Sequence, residues 1–106
     1  MQKREARVAI SENALLKSEY NWIPCVLVNM SDHGFLIKCS EAFQIGQVLE
    51  FSCELYPSKT LDCKIEVRHI SAAGMGTKIV EINEYGVRLC TLYLEEQYSN
   101  NLSGRH

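Results

Sequence analysis

The sequence predicts a mainly β protein, with six antiparallel strands arranged as a barrel or a sandwich and one C-terminal α-helix. Six stretches of strand length are apolar or alternate between apolar and polar residues. The connections between them are short, which suits antiparallel pairing. After residue 82 the apolar period changes from two residues to that of a helix. At 106 residues and 12.1 kDa, the chain is one domain with a single core.

The first two predicted strands come before a polar turn, and the third follows it. Residues 7–17 alternate weakly, and residues 23–28 are apolar on both faces, as in a central strand. The in-phase apolar residues of the first strand are Val8, Ile10, Ala14 and Leu16. After the turn, residues 35–39 place Phe35 and Ile37 on one face. These segments predict the first three strands of the barrel or sandwich.

The next two predicted strands form a hairpin. Residues 47–55 show the clearest alternation in the chain. Their apolar face consists of Leu49, Phe51, Cys53 and Leu55. A turn at residues 56–59, with Pro57 at its second position, leads into an amphipathic strand at residues 61–69. His69 continues the apolar phase of this strand, so we expect it to be a core histidine.

The last two predicted elements are a strand and a helix. The sixth strand opens at Gly74 and ends near Ile82. The helix, about residues 83–98, starts at Asn83 as N-cap and ends near Tyr98, before a frayed tail at residues 99–106. Its apolar stripe contains Tyr85, Val87, Leu89, Cys90, Leu92, Tyr93 and Leu94. The stripe predicts packing on the barrel, with a partner surface or self-association as the alternative.

Composition and charge exclude several functional classes. Apolar residues make up 46% and charged residues 23%, as in a folded globular protein. The net charge of −2 argues against a nucleic-acid polymer as ligand. The sequence has neither an apolar run long enough for a membrane span nor a signal-peptide core, which predicts a cytoplasmic protein. The only near-neighbour catalytic set, His33 with Ser31 or Asp32, lacks pre-organised geometry, so we expect a non-catalytic protein.

The five cysteines are predicted to be small core residues. Their number is odd, no Cys-x-x-Cys pair occurs, and each lies in an apolar pattern. Structural zinc sites use closely spaced ligand pairs. We therefore expect neither a metal nor a resident cofactor.

The polar turn is the first candidate for a functional site. It reads Asn29-Met30-Ser31-Asp32-His33-Gly34 and lies between two apolar runs. Asn, Ser and Asp bond their own backbone, and Gly adopts backbone angles that other residues avoid. We expect such a turn to present side chains and backbone N–H groups to solvent, where a polar ligand can bind. The alternative is a turn that only connects two strands.

The N-terminus carries a second candidate feature, a basic arm of three cations within five residues: Lys3, Arg4 and Arg7. Such an arm before a strand, with Asn-x-Ser-x-x-Gly roughly twenty residues later, resembles the PilZ domain family. That family has Arg-x-x-x-Arg at its N-terminus and Asp/Asn-x-Ser-x-x-Gly after its second strand. Asn29, Ser31 and Gly34 match the second element in full. In the first element, Lys3 replaces the first arginine, Arg7 matches the second, and Arg4 lies one position further on.

The resemblance implies a six-stranded barrel that binds the bacterial second messenger cyclic di-GMP in a signalling role. The implied ligand-binding residues are Lys3, Arg4, Arg7, Asn29, Ser31 and Gly34. Arginine forms bidentate bonds to phosphate or to the O6/N7 edge of guanine, whereas lysine supplies only a point charge. We therefore expect Lys3 to weaken the affinity, and the arm, flexible over residues 1–6 of the free protein, to become ordered when ligand binds.

Two functional hypotheses follow. In the first, the protein is a cyclic di-GMP receptor that passes the signal to a downstream protein partner, as a monomer or weak dimer. In the second, it is a degenerate PilZ-type adaptor that no longer binds the nucleotide and acts through protein contacts in pilus or motility machinery. In that case the basic arm is only a solvated tail.

Overall fold

The strands form a closed antiparallel barrel, which confirms the barrel over the sandwich. The computed structural model describes residues 7–103, with side chains for residues 7–100. The elements are β1 (Val8–Lys17), β2 (Trp22–Met30), β3 (Gly34–Cys39), β4 (Val48–Tyr56), β5 (Lys59–Ser71), β6 (Gly74–Ile82) and α1 (Glu84–Ser103). The predicted flexible arm, which includes Lys3 and Arg4, lies outside the described residues.

The strand order around the barrel is β1-β2-β3-β6-β5-β4. Every neighbouring pair is antiparallel, and β4 closes the barrel by pairing with β1. Most neighbours are also consecutive in sequence. Apart from the closing pair of β1 and β4, the non-consecutive neighbours are β3 and β6. Their pairing brings residues 34–37 against residues 75–78. This non-local pairing places the sixth strand beside the polar turn.

The barrel interior contains the apolar side chains that sequence alternation predicts. On β4 the predicted inward residues are all buried: Leu49, Phe51, Cys53 and Leu55. Phe51 stacks on Phe35 of β3 with ring centroids 4.7 Å apart, an aromatic contact that contributes about 0.5–1.5 kcal/mol beyond the buried area. Thr77 of β6 is a buried polar residue, and its hydroxyl donates to the Phe35 carbonyl at 3.0 Å. The core therefore joins β3, β4 and β6.

The cysteines pack as apolar residues, as predicted. All five are free thiols; four are buried and Cys39 is half-buried. Burial raises the pKa of Cys25, Cys53 and Cys63 to about 12, which keeps these thiols protonated and unreactive at neutral pH. Within residues 7–103, no group of three or more potential ligands is placed to hold a metal ion.

The polar turn is shorter and less exposed than expected. Asn29 and Met30 belong to β2, and Gly34 belongs to β3, because the strand pairing continues to Met30 opposite Phe35. Ser31 is fully buried rather than presented to solvent. The exposed tip of the hairpin therefore consists of two residues, Asp32 and His33.

The prediction of a core position for His69 is wrong. The preceding residues of its apolar phase are buried up to Val67, but His69 is exposed. The register of β5 against β6 shifts between Val67 and His69. A bulge of this kind inserts one extra residue, here Arg68, and reverses the face of the residues that follow. His69 consequently lies on the outer surface opposite Gly76.

The C-terminal helix begins where predicted. The Asn83 side-chain oxygen accepts a hydrogen bond from the Gly86 backbone N–H at 2.7 Å, so Asn83 is the N-cap. Leu89, Cys90 and Tyr93 are buried, which confirms packing on the barrel. Other apolar residues of the stripe are exposed, namely Tyr85, Val87 and Leu92, and their use as a partner surface stays a prediction.

The predicted helix end near Tyr98 is wrong, because α1 continues to Ser103. The Ser and Asn residues after Tyr98 cost only tenths of a kcal/mol each in a helix, so they do not interrupt it. No helix among the described residues is both long and apolar enough to cross a membrane.

Candidate functional site

Arg7 and Asn29 meet at the base of the hairpin. The first residues of β1 pair with the last residues of β2, Val8 with Met30 and Ala9 with Asn29. This register places the Arg7 side chain beside β2, where Nη1 donates to the Asn29 side-chain oxygen at 3.0 Å. Two predicted ligand-binding residues that lie 22 positions apart are therefore in direct contact.

Ser31 organises the hairpin from inside. Its backbone N–H donates to the Gly34 carbonyl at 2.9 Å, and its hydroxyl donates to the same carbonyl at 3.4 Å. The hydroxyl also accepts from the His33 N–H at 3.3 Å. The contacts hold the two-residue tip in one conformation, in line with the tendency of serine in a turn to bond its own backbone.

Gly34 is required by a close approach of two strands. It pairs with Lys78 of β6, and a Cβ atom at position 34 would lie 1.9 Å from the Thr77 carbonyl oxygen. Since no side chain fits in this space, glycine lets β6 approach the hairpin. The family resemblance implies a ligand-binding role for Gly34, and the structure shows that the backbone of β6 occupies the space beside it.

The tip of the hairpin borders a cleft of about 380 Å³ between β6 and α1. The His33 carbonyl accepts a hydrogen bond from the Ile79 N–H at 2.8 Å, which anchors the tip to β6. The lining residues are Asp32, His33, Lys78, Ile79, Ile82, Val87, Cys90 and Thr91. Burial, together with the nearby Asp32 carboxylate, raises the pKa of the Cys90 thiol to about 11. The hairpin tip and the helix thus face the same cleft.

Lys78 and Asp32 are charged residues near the hairpin that sequence reasoning missed as site residues. Lys78 is next to the site only because β6 pairs with β3, and no spacing rule in the sequence indicates that neighbour. Asp32 lies inside the turn motif, but at a position to which the motif assigns no role.

The structure brings together the four predicted site residues that it describes. Arg7 and Asn29 touch, and the backbone bonds of Ser31 and Gly34 join the two ends of the adjacent hairpin. Of these four, Ser31 is buried and already bonded within the turn. The polar surface of the site is therefore formed by Arg7, Asn29 and the hairpin tip.

The closed six-stranded barrel, with one C-terminal helix, places the chain in the class of small antiparallel β-barrel domains. The chain belongs to the PilZ family, because the PilZ domain model matches residues 2–98. A comparison with curated protein sequences finds no match.

Two solved structures share the fold. One is Inhibitor of motility (MotI/DgrA) of Bacillus subtilis, with a TM-score of 0.78 and 17% identity, covering 99% of this chain and 53% of that one. The other is the PlzA protein of Borreliella burgdorferi in complex with c-di-GMP, with a TM-score of 0.69 and 19% identity, covering 87% of this chain and 40% of that one. The chain thus spans about half the length of these proteins or less.

Proposed function

We propose that this protein is a non-catalytic bacterial receptor that binds cyclic di-GMP at the surface formed by Arg7, Asn29 and the hairpin tip. The observation that carries the proposal is the Arg7–Asn29 hydrogen bond of 3.0 Å. It joins the last residue of the basic arm to the first residue of the turn motif. The family membership and the c-di-GMP complex of the structural neighbour PlzA support the same ligand.

The chemistry of the site suits a cyclic dinucleotide. The ligand carries two phosphates and two guanines, and the planar guanidinium of Arg7 bonds either group through two parallel N–H donors. Asn29 holds the Arg7 side chain in position before binding. This pre-organisation lowers the entropy that the side chain loses on binding, so Arg7 contributes most of the specific contact.

The basic arm completes the site in the bound state. Lys3 and Arg4 add charge that attracts the phosphates. Ordering the arm costs about 1–2 kcal/mol for each backbone residue fixed. Because Lys3 lacks the two-pronged geometry of arginine, Lys3→Arg should raise the affinity. If Lys3→Arg binds cyclic di-GMP with unchanged or lower affinity, the argument from the bidentate geometry of arginine is wrong.

Calorimetric titration with cyclic di-GMP tests the proposal directly. Arg7→Ala should weaken binding by roughly ten- to a hundredfold, because charged hydrogen bonds contribute about 1.5–3 kcal/mol each. Arg88→Ala is the matched control, since it removes an exposed arginine from α1. Melting temperatures should be equal for all three proteins. If Arg7→Ala binds as tightly as the parent protein, the arm is a solvated tail.

The adaptor hypothesis is the second candidate, and one observation favours it: Lys3 replaces the first arginine of the family motif. The structural neighbour MotI/DgrA is described as an inhibitor of motility, which is consistent with a protein partner. A parent protein that shows no heat of binding with cyclic di-GMP would support the adaptor and refute the receptor.

A further inference from the structure

Two exposed cations, Arg7 and Lys78, lie at the ends of a row of neighbouring residues that crosses four strands of the barrel. Arg7 precedes the Val8–Met30 pair, Ser31 and Gly34 are opposite each other in the hairpin, and Gly34 pairs with Lys78. This row crosses β1, β2, β3 and β6. With strands about 4.8 Å apart, its ends are separated by roughly 14 Å, a distance that requires an extended ligand.

We propose that the cleft between the hairpin tip and α1 is a guanine-binding subsite, in which Asp32 selects the base. The proposal rests on the function proposed above, and it adds to the Arg7 side of the site a second contact region at the far end of the row. One half of the dinucleotide lies at Arg7 and Asn29, and the other half places its base in the cleft.

The size and the walls of the cleft suit one purine. Its volume of about 380 Å³ lies in the range of ligand pockets, about 300–1,000 Å³. Ile79, Ile82 and Val87 supply apolar surface for the faces of a flat ring. The polar lining residues are Asp32 and His33 at the hairpin tip, Lys78 on β6 and Thr91 on α1.

The Asp32 carboxylate is complementary to the Watson–Crick edge of guanine. Its Watson–Crick edge has two adjacent donors, N1–H and the 2-amino group, next to the acceptor O6. A carboxylate is acceptor-only and binds two parallel donors, so Asp32 accepts from both. Adenine presents an unprotonated N1 at the same position, which would face the carboxylate with a lone pair. Asp32 therefore discriminates guanine from adenine.

Lys78 has a different task on the same side of the ligand. It is exposed on the outer face directly opposite Gly34, between the cleft and the Arg7 side of the site. Its ammonium group is placed to donate to guanine O6 or to the neighbouring phosphate. As a flexible point charge, lysine tolerates either acceptor, so Lys78 contributes affinity rather than selectivity.

The test couples one residue to one functional group of the base. Binding of cyclic di-GMP and of cyclic di-IMP, which lacks the 2-amino group, is measured by calorimetry for the parent protein and for Asp32→Asn. The parent should bind cyclic di-GMP at least about tenfold more tightly than cyclic di-IMP, as expected for one charged hydrogen bond. In Asp32→Asn this preference should fall to about twofold or less. The control is Asp62→Asn, which changes the other aspartate of the chain, an exposed residue on β5.

Each outcome of this test has a definite consequence. Asp32 is exposed, so its substitution should leave the melting temperature unchanged. If Asp32→Asn keeps the full preference for cyclic di-GMP, the guanine subsite is refuted while the receptor function stands. The same holds if the parent binds both ligands equally. If the parent binds neither ligand, the receptor function and the subsite are refuted together.

Discussion

Gly34→Ala should destabilise the barrel, because the space around Gly34 is filled by the backbone of β6. An alanine Cβ would lie 1.9 Å from the Thr77 carbonyl oxygen, 3.0 Å from its carbonyl carbon and 3.2 Å from the Lys78 Cα. A normal contact between carbon and a carbonyl oxygen is about 3.3 Å or longer. All three atoms are backbone atoms, so no side-chain rotation relieves the clash. Strands β3 and β6 must move apart by more than about 1 Å.

The expected cost follows from this displacement. Overpacking costs about 1–3 kcal/mol, and each strand hydrogen bond that is lost adds about 1 kcal/mol. A total of roughly 3 kcal/mol is a large part of the 5–15 kcal/mol that typically stabilises a domain. At about 4–8 °C per kcal/mol for a domain near this size, the melting temperature should fall by roughly 10–20 °C.

Thermal unfolding followed by circular dichroism measures this effect, and Gly76→Ala, on the partner strand β6, is the matched control. A Cβ at position 76 would meet the His69 Cβ at 3.4 Å, an ordinary van der Waals contact, so its melting temperature should change by only a few degrees. A Gly34→Ala protein that has the melting temperature of the parent but no longer binds cyclic di-GMP would refute the argument. In that case the glycine would serve the ligand rather than the strand.

Three further predictions concern the helix and the thiols. Asn83→Ala should cost about 1 kcal/mol through loss of the N-cap, measured by urea unfolding, whereas Asn83→Asp should keep most of the stability. With an aromatic disulfide reagent, native protein should show one fast thiol, the half-buried Cys39, and four slow ones; a second fast thiol would contradict the burial. Burial and the hydrogen bond to Glu12 raise the pKa of Tyr93 above its usual value near 10. The stability that the protonated hydroxyl provides is complete below about pH 10 and is lost as the pH rises further. In unfolding experiments at alkaline pH, the free energy of unfolding of Tyr93→Phe should therefore fall less steeply with pH than that of the parent protein.

Strand positions were predictable from the sequence because burial alternates within a strand. The alternation of β4 alone identifies its inward residues, and all four are buried. The same logic failed at His69, where one extra residue in β5 reverses the face of the strand. A bulge depends on the partner strand, and the pattern of a single strand contains no record of it.

The polar turn shows how cross-strand bonding overrides local preference. Asn29 and Gly34 are typical turn residues, yet both lie in strands because pairing of β2 with β3 continues past them. Ser31 is buried for the same reason, since its backbone and hydroxyl close the hairpin. Composition correctly indicated a turn in this segment, while the register of β2 against β3 determines which of its residues are exposed.

The far side of the candidate site could not be predicted, because it depends on contacts between distant parts of the chain. Lys78 reaches the hairpin through the pairing of β3 with β6, and α1 closes the cleft from the other side. The arm and the turn motif are local signals, each contained within a few residues, so a sequence motif detects them. Asp32 depends on both local and distant parts of the chain. It belongs to the turn motif in sequence, but it lines a cleft only because α1 packs nearby. Base selection by this residue would therefore vary among proteins that share the motif, according to what packs against the hairpin tip.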